Sequence, residues 1–421
     1  MRKQILFILV ILLSEQGLAQ NTWFKMYDRQ TFGYTSNNLL LQDDTLVHVH
    51  AFYNFDINGS DVAIDLLDAE NGELFSSDSL TYSRFSNNLY TPNHLIRNQD
   101  KQIEVAFSMV DTAGPHYWSV FVYNLNDKTY KPCNTNIDTL DSSVTGLFAI
   151  DEDEYILAYY ATRDKGRYDI WKIYNDSFSI IYSSSTYQVC ASCHKISFTD
   201  LQEDNQSSGS LFLTQLDQWM FSGNPANWEV DILKLDTAGN VIWKCRPNTR
   251  DTFNTTFPKM VQKPNGNLLV MWNDQYIKEG MNKAGTNYYE ELNDDMTLWI
   301  TEIDYKTGEV LWSKDLYQYL SRKTNVQYQY INIKYAKLQP DNSIIWVGDL
   351  SAHKSFPVML KTDLEGNPIW YRQYEIYPDD SGDKGMNAYS FVRTSDGGFI
   401  IAGEYENRFG EMTGGVEHWQ R

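Results

Sequence analysis

Short stretches of alternating hydrophobic and polar residues recur along the chain, and tight turns separate many of them. Residues 231 to 243 read Asp-Ile-Leu-Lys-Leu-Asp-Thr-Ala-Gly-Asn-Val-Ile-Trp, which is a strand, a turn and a second strand. A period of two is typical of half-buried strands. In the turn, Asp236 can bond its own backbone, and Gly239 supplies a position with positive φ. The pattern therefore predicts antiparallel hairpins.

The hairpins form a repeat. Copies of the first hairpin lie at residues 298–312, 358–370 and, in weaker form, 62–75. A second hairpin follows after a variable connector, most clearly at residues 257–272 and 389–403. Self-similarity at a period of about 50 residues is typical of stacked repeats. Each unit is predicted to contain four antiparallel strands.

We predict an all-β fold, a β-propeller of about seven blades in a single domain. The predicted units are residues 61–110, 117–162, 168–217, 228–274, 297–350 and 356–405. The second and third rest on spacing and alternation. Residues 20–55 and 411–421 are expected to share the closing blade, since sharing the two ends leaves no unpaired sheet edge. The alternative is an open or incomplete array.

The first 19 residues have the features of a secretory signal peptide. Arg2 and Lys3 precede the apolar run 5–13, and Gly17-Leu18-Ala19 supplies a cleavage site before Gln20. The apolar run is shorter than the about 20 residues that a membrane-spanning helix needs, and no later segment is suitable. The mature chain is expected to be secreted or exposed at the cell surface, without a membrane span, as a monomer.

The net charge of the chain limits the classes of partner that it is expected to bind. Its 55 acidic and 35 basic residues give a net charge of −20, spread along the sequence. Nucleic acid binding requires a basic surface, so this class is excluded. The expected partner is a protein or a carbohydrate.

Several hairpins resemble a known repeat. Residues 303–312, Ile-Asp-Tyr-Lys-Thr-Gly-Glu-Val-Leu-Trp, resemble the pyrroloquinoline-quinone-like propeller repeat. The pair 366–370 and 394–403 is similar to secreted propeller proteins of Bacteroidetes-type bacteria. The resemblance covers about residues 228–405 and implies export, often followed by a C-terminal sorting module. Such a module is not recognised before Arg421, which is consistent with a fragment. The resemblance lies in the structural hairpin and reaches no quinone contact.

Long connectors are expected on one face of the propeller. The tight turns fall on the opposite face, because successive connections of an antiparallel sheet alternate between its ends. We call the face with the long connectors the long-connector face; its segments are 245–256, 273–296, 314–329 and 371–388. Variable loops on a rigid scaffold commonly bind partners. Its candidate binding residues are Tyr276, Tyr288, Tyr289, Tyr317 and Tyr319, although packing under the loops is an alternative.

One cysteine motif has a specific spacing. Cys190-Ala-Ser-Cys193-His194 has the spacing of a c-type haem attachment site. Its position in a hairpin connector, without helices to bury a haem, favours structural disulfides in an exported protein. These are a local Cys190–Cys193 bond or bridges to other cysteines. The other two cysteines, Cys133 and Cys245, end second strands of flanking units, and a bond between them would have to skip a blade.

Two acidic segments suggest weak cation sites. Asp379, Asp380 and Asp383 lie on the long-connector face, where they can bind a hard cation such as Ca²⁺. Residues 54–60 resemble a calcium loop but lack both anchoring residues, so a capped turn is favoured. No cofactor is therefore expected, with haem c and Ca²⁺ as the alternatives.

The sequence contains no recognisable catalytic motif. Trp243, Trp312 and Trp370 recur at one position of the unit, which indicates packing between blades. The sequence therefore favours a non-catalytic binding propeller over an enzyme. An exported haem protein and a quinoprotein-like or glycan-active enzyme are the alternatives.

Overall fold

The computed structural model consists almost wholly of antiparallel β-strands. It describes residues 4–11, 23–28, 38–54, 59–81, 94–97, 103–110, 117–124, 129–138, 142–151, 154–161, 167–174, 177–185, 194–207, 209–219, 227–247, 253–255, 258–281, 287–321, 330–351, 355–374 and 385–406.

The first three sheets in chain order each contain four strands. Sheet 1 comprises β3 (Asn38–Gln42), β4 (Thr45–Asn54), β5 (Gly59–Asp68) and β6 (Leu74–Thr81). Sheet 2 comprises β7 (His94–Arg97), β8 (Ile103–Val110), β9 (Tyr117–Asn124) and β10 (Thr129–Asp138). Sheet 3 comprises β11 (Ser142–Asp151), β12 (Glu154–Ala161), β13 (Arg167–Tyr174) and β14 (Ser177–Ser185).

The next three sheets follow the same order, with one additional strand. Sheet 4 comprises β15 (His194–Glu203), β16 (Leu211–Trp219), β17 (Asn227–Leu235) and β18 (Val241–Cys245). Sheet 5 comprises β19 (Phe253–Thr255), β20 (Lys259–Gln262), β21 (Leu268–Met281), β22 (Asn287–Ile303) and β23 (Val310–Asp315), and a short helix α1 (Tyr317–Ser321) follows it. Sheet 6 comprises β24 (Tyr330–Leu338), β25 (Ile344–Ser351), β26 (Ser355–Thr362) and β27 (Pro368–Gln373).

A seventh sheet combines the two ends of the chain. It contains β28 (Gly385–Arg393) and β29 (Phe399–Glu406), followed in space by β1 (Gln4–Ile11) and β2 (Trp23–Asp28). We call it the closing sheet. The first strands of sheets 1 to 6 and of the closing sheet contact one another in order, and β28 also contacts β3. This arrangement is the predicted all-β propeller fold, and among the described strands β1 and β2 share a sheet with β28 and β29.

The strands are grouped differently from the predicted units. The predicted unit 228–274 combines β17 and β18 of sheet 4 with β20 and β21 of sheet 5. Every other predicted unit is likewise displaced by one hairpin, because the local sequence pattern marks the hairpins but not which neighbouring hairpins share a sheet.

The closing sheet also differs from its predicted composition. Residues 38–54, expected there, form β3 and β4 of sheet 1. The segment 4–11, which lies inside the predicted signal peptide, forms the strand between β29 and β2. The predicted closing segment 411–421 lies outside the described residues.

Hydrophobic side chains fill the spaces between neighbouring sheets. Phe212 and Trp272 are almost completely buried in the cluster between sheets 4 and 5, and Trp346 in the cluster between sheets 5 and 6. Ile345 and Phe391 join sheet 6 to the closing sheet. In sheets 5 and 6, the alternation read from the sequence thus places apolar residues on both faces of the sheet, as stacked blades require.

The tight turns lie at one end of the sheets, as predicted. We call this end the turn face; it carries the turns 204–210, 236–240, 263–267, 304–309, 339–343, 363–367 and 394–398. The loops between second and third strands and the links between sheets lie at the long-connector face. The segment 273–296 is not an irregular connector, because β21 and β22 continue through most of it as a hairpin.

Candidate functional site

The first strands of four sheets carry a β-bulge near their middle. The register shifts lie at Val144/Gly146, Phe198/Asp200, Ile333/Tyr335 and Ala388/Ser390. A bulge redirects a side chain and is common next to functional sites. In sheet 6 and the closing sheet the residues inside the bulge are Lys334 and Tyr389.

Side chains of β15 bind the backbone edge of β20. Asp200 Oδ2 accepts a hydrogen bond from the Met260 N–H at 2.9 Å. Gln202 Nε2 donates to the Met260 carbonyl, and Gln202 Oε1 accepts from the Gln262 N–H at 3.2 Å. An unpaired strand edge would otherwise leave backbone polar groups unsatisfied. Asp200 and Gln202 therefore connect sheets 4 and 5.

Asp200 and Lys259 influence each other's ionisation. Burial raises the pKa of Asp200, although the positive charge of Lys259 and the Met260 N–H oppose this shift. Burial lowers the pKa of Lys259; the charge of Asp200 opposes the shift, and the like charge of Lys334 adds to it. Three charged side chains from three sheets thus lie close enough to interact.

Asp349 and Lys334 form a second polar contact, beside the closing sheet. Lys334 Nζ lies 3.9 Å from Asp349 Oδ1 and 6.0 Å from the centre of the Tyr389 ring. Asp349 is 4% exposed, and its burial raises its pKa to about 6 despite the charge of Lys334. Among the described residues, neither Asp349 Oδ1 nor Oδ1 of its cross-strand neighbour Asn332 accepts a hydrogen bond.

We call this group of side chains the inner cluster. Tyr335 also belongs to it, since burial and the charge of Asp200 raise the pKa of its hydroxyl. The members are Asp200, Lys259, Lys334, Tyr335, Asp349 and Tyr389. Enclosed ionisable groups with shifted pKa values are common at functional sites, but structural ion pairs produce the same shifts. Here Asp200 already holds two sheets together, and Asp349 is almost inaccessible, so the cluster is a contact between sheets.

Buried ion pairs occupy the turn face. Lys234 Nζ lies 2.7 Å from Asp204 Oδ2 and donates to the Tyr305 carbonyl at 3.2 Å. In sheet 5 the order of charges is reversed, because the turn contributes Lys263 and the third strand contributes Glu302, at 3.0 Å. All four charged side chains are at least nine-tenths buried. These buried charges are therefore engaged in contacts within their own sheets, and Lys234 also contacts sheet 5.

The recurring tryptophans pack between neighbouring sheets, which confirms the sequence interpretation. Trp243 belongs to the cluster of sheets 4 and 5 and donates from Nε1 to the Tyr305 carbonyl at 3.0 Å. Trp312 packs against the cluster of sheets 5 and 6. Trp370 packs against the cluster of sheet 6 and the closing sheet, with its ring 6.2 Å from that of Phe399.

A hairpin extension carries three of the predicted binding tyrosines. In β21 and β22 the pairing continues past Gln275 and Met296 as far as Met281 and Asn287. Tyr288 pairs with Gly280 and Tyr289 with Glu279, while Tyr276 pairs with Phe253 of β19. The extension lies between the second and third strands of sheet 5, on the long-connector face.

The other two predicted tyrosines lie in α1. Tyr317 and Tyr319 are partly buried and pack against the cluster of sheets 5 and 6. The Tyr317 N–H donates to Asp315 Oδ1 at 2.8 Å, which begins the helix. Tyr317 and Tyr319 therefore have the packing role that the sequence indicates as the alternative to binding.

The cysteine motif is described only at its histidine. His194 is the first residue of β15 and pairs with Trp219, at the long-connector end of the strand; Cys190 and Cys193 lie outside the described residues. Cys133 is in β10, opposite Val120. Cys245 is a free thiol, and burial, with the charge of Asp231, raises its pKa to about 11. A bridge from Cys245, one of the arrangements considered, is therefore not formed.

The predicted cation residues Asp379, Asp380 and Asp383 lie outside the described residues, as do positions 55–58 of the calcium-like segment. In the part of the chain that the structure describes, no group of three or more His, Cys, Asp or Glu side chains is arranged to hold a metal ion. No helix there is long and apolar enough to cross a membrane.

Comparisons with solved structures find proteins of similar fold, some of them described as β-propellers. An ulvan lyase of a polysaccharide lyase family superimposes with a TM-score of 0.54 at 8% identity, over 89% of this chain and 94% of the other. A quinohaemoprotein alcohol dehydrogenase from Pseudomonas putida HK5 gives 0.46 at 7% identity, over 93% and 77%. The β-propeller domain of a protease from Pyrococcus furiosus gives 0.39 at 11% identity, over 83% and 98%. No family model and no curated protein sequence matches the chain.

The fold is a β-propeller. Similarity at these low identities concerns the fold and not the activity. The sequence interpretation missed the charged members of the inner cluster. A signal for them exists: Asp349 interrupts the apolar strand Ile-Ile-Trp-Val-Gly-Asp-Leu of β25, and a near-continuous apolar run is typical of a strand that is buried on both faces.

Proposed function

We propose that this β-propeller is an exported, non-catalytic protein that binds a protein or glycan partner through its long-connector face. The observation that carries the proposal is the hairpin extension of β21 and β22, which continues beyond the register pair Gln275 and Met296. A binding element on a rigid sheet keeps its position at low entropic cost.

The buried ion pairs at the turn face also support the choice of the long-connector face as the binding surface. The buried charges of the turn face are paired, as in Asp204–Lys234 and Lys263–Glu302. These four side chains are therefore occupied within the fold and do not offer charge to a partner. The long-connector face carries the extension instead.

Tyrosines favour a glycan or a protein surface as the partner. Tyr276, Tyr288 and Tyr289 are concentrated in the extension and in the strand pairs at its base. Tyrosine rings contribute large contact areas at low entropic cost and pack against sugar rings. The ulvan lyase acts on a polysaccharide; that similarity of fold is consistent with a glycan partner and does not carry the proposal.

The test removes the extension and keeps the pairing of β21 with β22 as far as Gln275 and Met296. Gln275 and Met296 are register partners, so an Asn-Gly turn can join them directly and replace residues 276–295. The shortened chain is expected to lose binding on a glycan array and in a pull-down, with an unchanged melting temperature.

The matched control is Phe75→Ala, which removes an aromatic ring that is 60% exposed in β6, away from the extension. This variant should bind as the original chain does. Retained binding by the shortened chain, or equal loss by both variants, would contradict the proposal. Export is checked separately, since the secreted protein should begin at Gln20.

A further inference from the structure

The first strands of the seven sheets form a ring around a central channel. The strands β20, β24, β28 and β3 contact one another in this order, and the other first strands complete the ring. Apolar clusters cover both faces of β24 and of β28. The partly exposed polar residues of these two strands therefore reach solvent through the channel. They are Asn332, Lys334, Asn387 and Tyr389.

Two β-bulges place Lys334 and Tyr389 next to each other on the wall of the channel. Lys334 is the inserted residue of β24, and Tyr389 is the inserted residue of β28. Lys334 Nζ lies 6.0 Å from the centre of the Tyr389 ring. A glycine of the second strand adjoins each bulge, and a Cβ on one of them, Gly348, would overlap the carbonyl oxygen of Asn332. The bulge that presents Lys334 is therefore fixed by both strands.

The ammonium group of Lys334 donates no hydrogen bond to the residues that the structure describes. Its contacts there are the Tyr389 ring and Asp349 Oδ1, which at 3.9 Å is too distant for a hydrogen bond. The side chain of Lys334 is 29% exposed, whereas that of Asp349 is 6% exposed. A group that enters from the channel therefore meets the ammonium group before the carboxylate.

A second lysine, Lys259 of β20, adds positive charge to the same region. Burial lowers the pKa of Lys259, and the like charge of Lys334 lowers it further. An anion beside the two ammonium groups would replace this repulsion by two attractions. Asp200 also acts on Lys259, but its two oxygens already accept hydrogen bonds from the N–H groups of Met260 and Leu201.

We propose that Lys334, Lys259 and Tyr389 form a channel site for a small organic carboxylate. The carboxylate accepts a charge-assisted hydrogen bond from Lys334, and the carbon skeleton of the ligand packs against the Tyr389 ring. Asp200 and Asp349 keep the net charge of the cluster small, so a singly charged group fits better than a dianion. The channel site is separate from the hairpin extension and does not rest on its binding role.

The experiment is a calorimetric titration of the full chain with sodium glucuronate, which carries one carboxylate on a sugar ring. Glucose is the neutral comparison, and sodium sulfate is the dianion. The ionic strength is held at about 0.15 M in every titration, because salt screens exposed charges. Glucuronate should bind, glucose should bind at least about tenfold more weakly, and sulfate should bind more weakly than glucuronate.

Substitutions of two lysines separate the channel site from a general effect of charge. Lys334→Gln should weaken the binding of glucuronate at least about tenfold, whereas Lys334→Arg keeps the charge and should retain most of the affinity. Lys314→Gln is the matched control. Lys314 Nζ also lies over an aromatic ring, that of Trp312 at 4.6 Å, but β23 is the last strand of sheet 5 and lies away from the channel. This control should bind glucuronate as the original chain does.

Hydrogen exchange on the original chain tests the site without any substitution. Saturating glucuronate should slow the exchange of amides in β24 and β28 and leave the extension, residues 276–295, unchanged. Four results would each overturn the inference: no binding of glucuronate, equal or tighter binding of glucose or sulfate, equal effects of Lys334→Gln and Lys314→Gln, or slower exchange in the extension alone.

Discussion

Gly308, in the second tight turn of sheet 5, lies directly against the indole ring of Trp243 in sheet 4. Gly308 has φ of 73°, and a methyl group on its Cα would lie 2.7 Å from Trp243 Cδ2. Gly366 stands in the same relation to Trp312 of the preceding sheet, at 2.6 Å. The turn glycine of one sheet thus makes room for the tryptophan of the sheet before it.

Gly308→Ala should lower the free energy of unfolding by about 2 to 3 kcal/mol, because the left-handed backbone and the contact with Trp243 both oppose a Cβ. Gly397→Ala is the matched control. Gly397 has φ of 88°, but only the end of the Arg393 side chain lies near, at 3.9 Å. The free energy of unfolding of Gly397→Ala should fall by about 1 kcal/mol, which is the cost of a left-handed backbone alone. Chemical denaturation measures both, and equal losses would show that the contact with Trp243 is unimportant.

Lys234→Met should destabilise the protein by about 3 kcal/mol, because it leaves the carboxylate of Asp204 buried without its ion pair. Lys361→Met is the comparison. Its partner Asp341 lies at 3.0 Å but is 39% exposed, so water can replace the lysine. Urea denaturation should show a clearly smaller loss for Lys361→Met. The reverse order would contradict the assignment of the first pair as the structural one.

Asp349 should make stability depend on pH. In the folded protein the pKa of Asp349 is about 6, whereas the pKa of an aspartate in an unfolded chain is about 3.9. The folded state therefore binds the proton more tightly. The contribution of Asp349 to stability is therefore greatest below pH 4 and is lost as pH rises through 6. As pH rises from 4 to 7, the free energy of unfolding of Asp349→Asn should increase by about 2 kcal/mol relative to that of the original chain.

Asp341→Asn is the control, with the opposite sign. Although burial acts against it, hydrogen bonds from Ser343 and Lys361 lower the pKa of Asp341 to about 2. Stability from Asp341 is therefore present above pH 4 and lost as pH falls through 2. Denaturation curves at several pH values measure both slopes. If the difference in free energy of unfolding between Asp349→Asn and the original chain does not change with pH, the buried state of Asp349 is contradicted.

The motif Cys190-Ala-Ser-Cys193-His194 should carry no haem. His194 begins a β-strand, whereas a haem needs an enclosing apolar pocket around its histidine ligand. The chain should therefore show no Soret band when it is produced in cells that assemble c-type cytochromes. A Soret band that disappears in Cys193→Ser would establish the redox alternative.

The sequence predicted the hairpins but not their partners in the sheets. The turns at Asp236 and Lys263 both fall between strands and at the same face, and both have the residues that tight turns require. A link between two successive hairpins can stay within a sheet or pass to the next sheet. Packing between distant strands decides which, and local sequence patterns do not encode that packing. The predicted units were therefore displaced by one hairpin.

The candidate site was predicted in part, for physical reasons that differ between residues. The aromatic content of the extension was visible in Tyr288 and Tyr289, but its pairing as a hairpin was hidden, because polar residues dominate 287–297. The packing of Trp243 followed from its recurrence in the repeat. The contacts of Asp200 and Lys259 join strands 59 residues apart, so only the folded chain shows them.

The hairpin extension of β21 and β22 is the proposed binding element. Its most direct test is the affinity of the double variant Tyr288→Ala, Tyr289→Ala for a glycan or protein identified with the original chain, measured by calorimetry. We expect at least about a tenfold loss of affinity, since two aromatic contacts are removed, with an unchanged melting temperature. Unchanged affinity, or a loss of affinity accompanied by an equal loss of thermal stability, would contradict the claim.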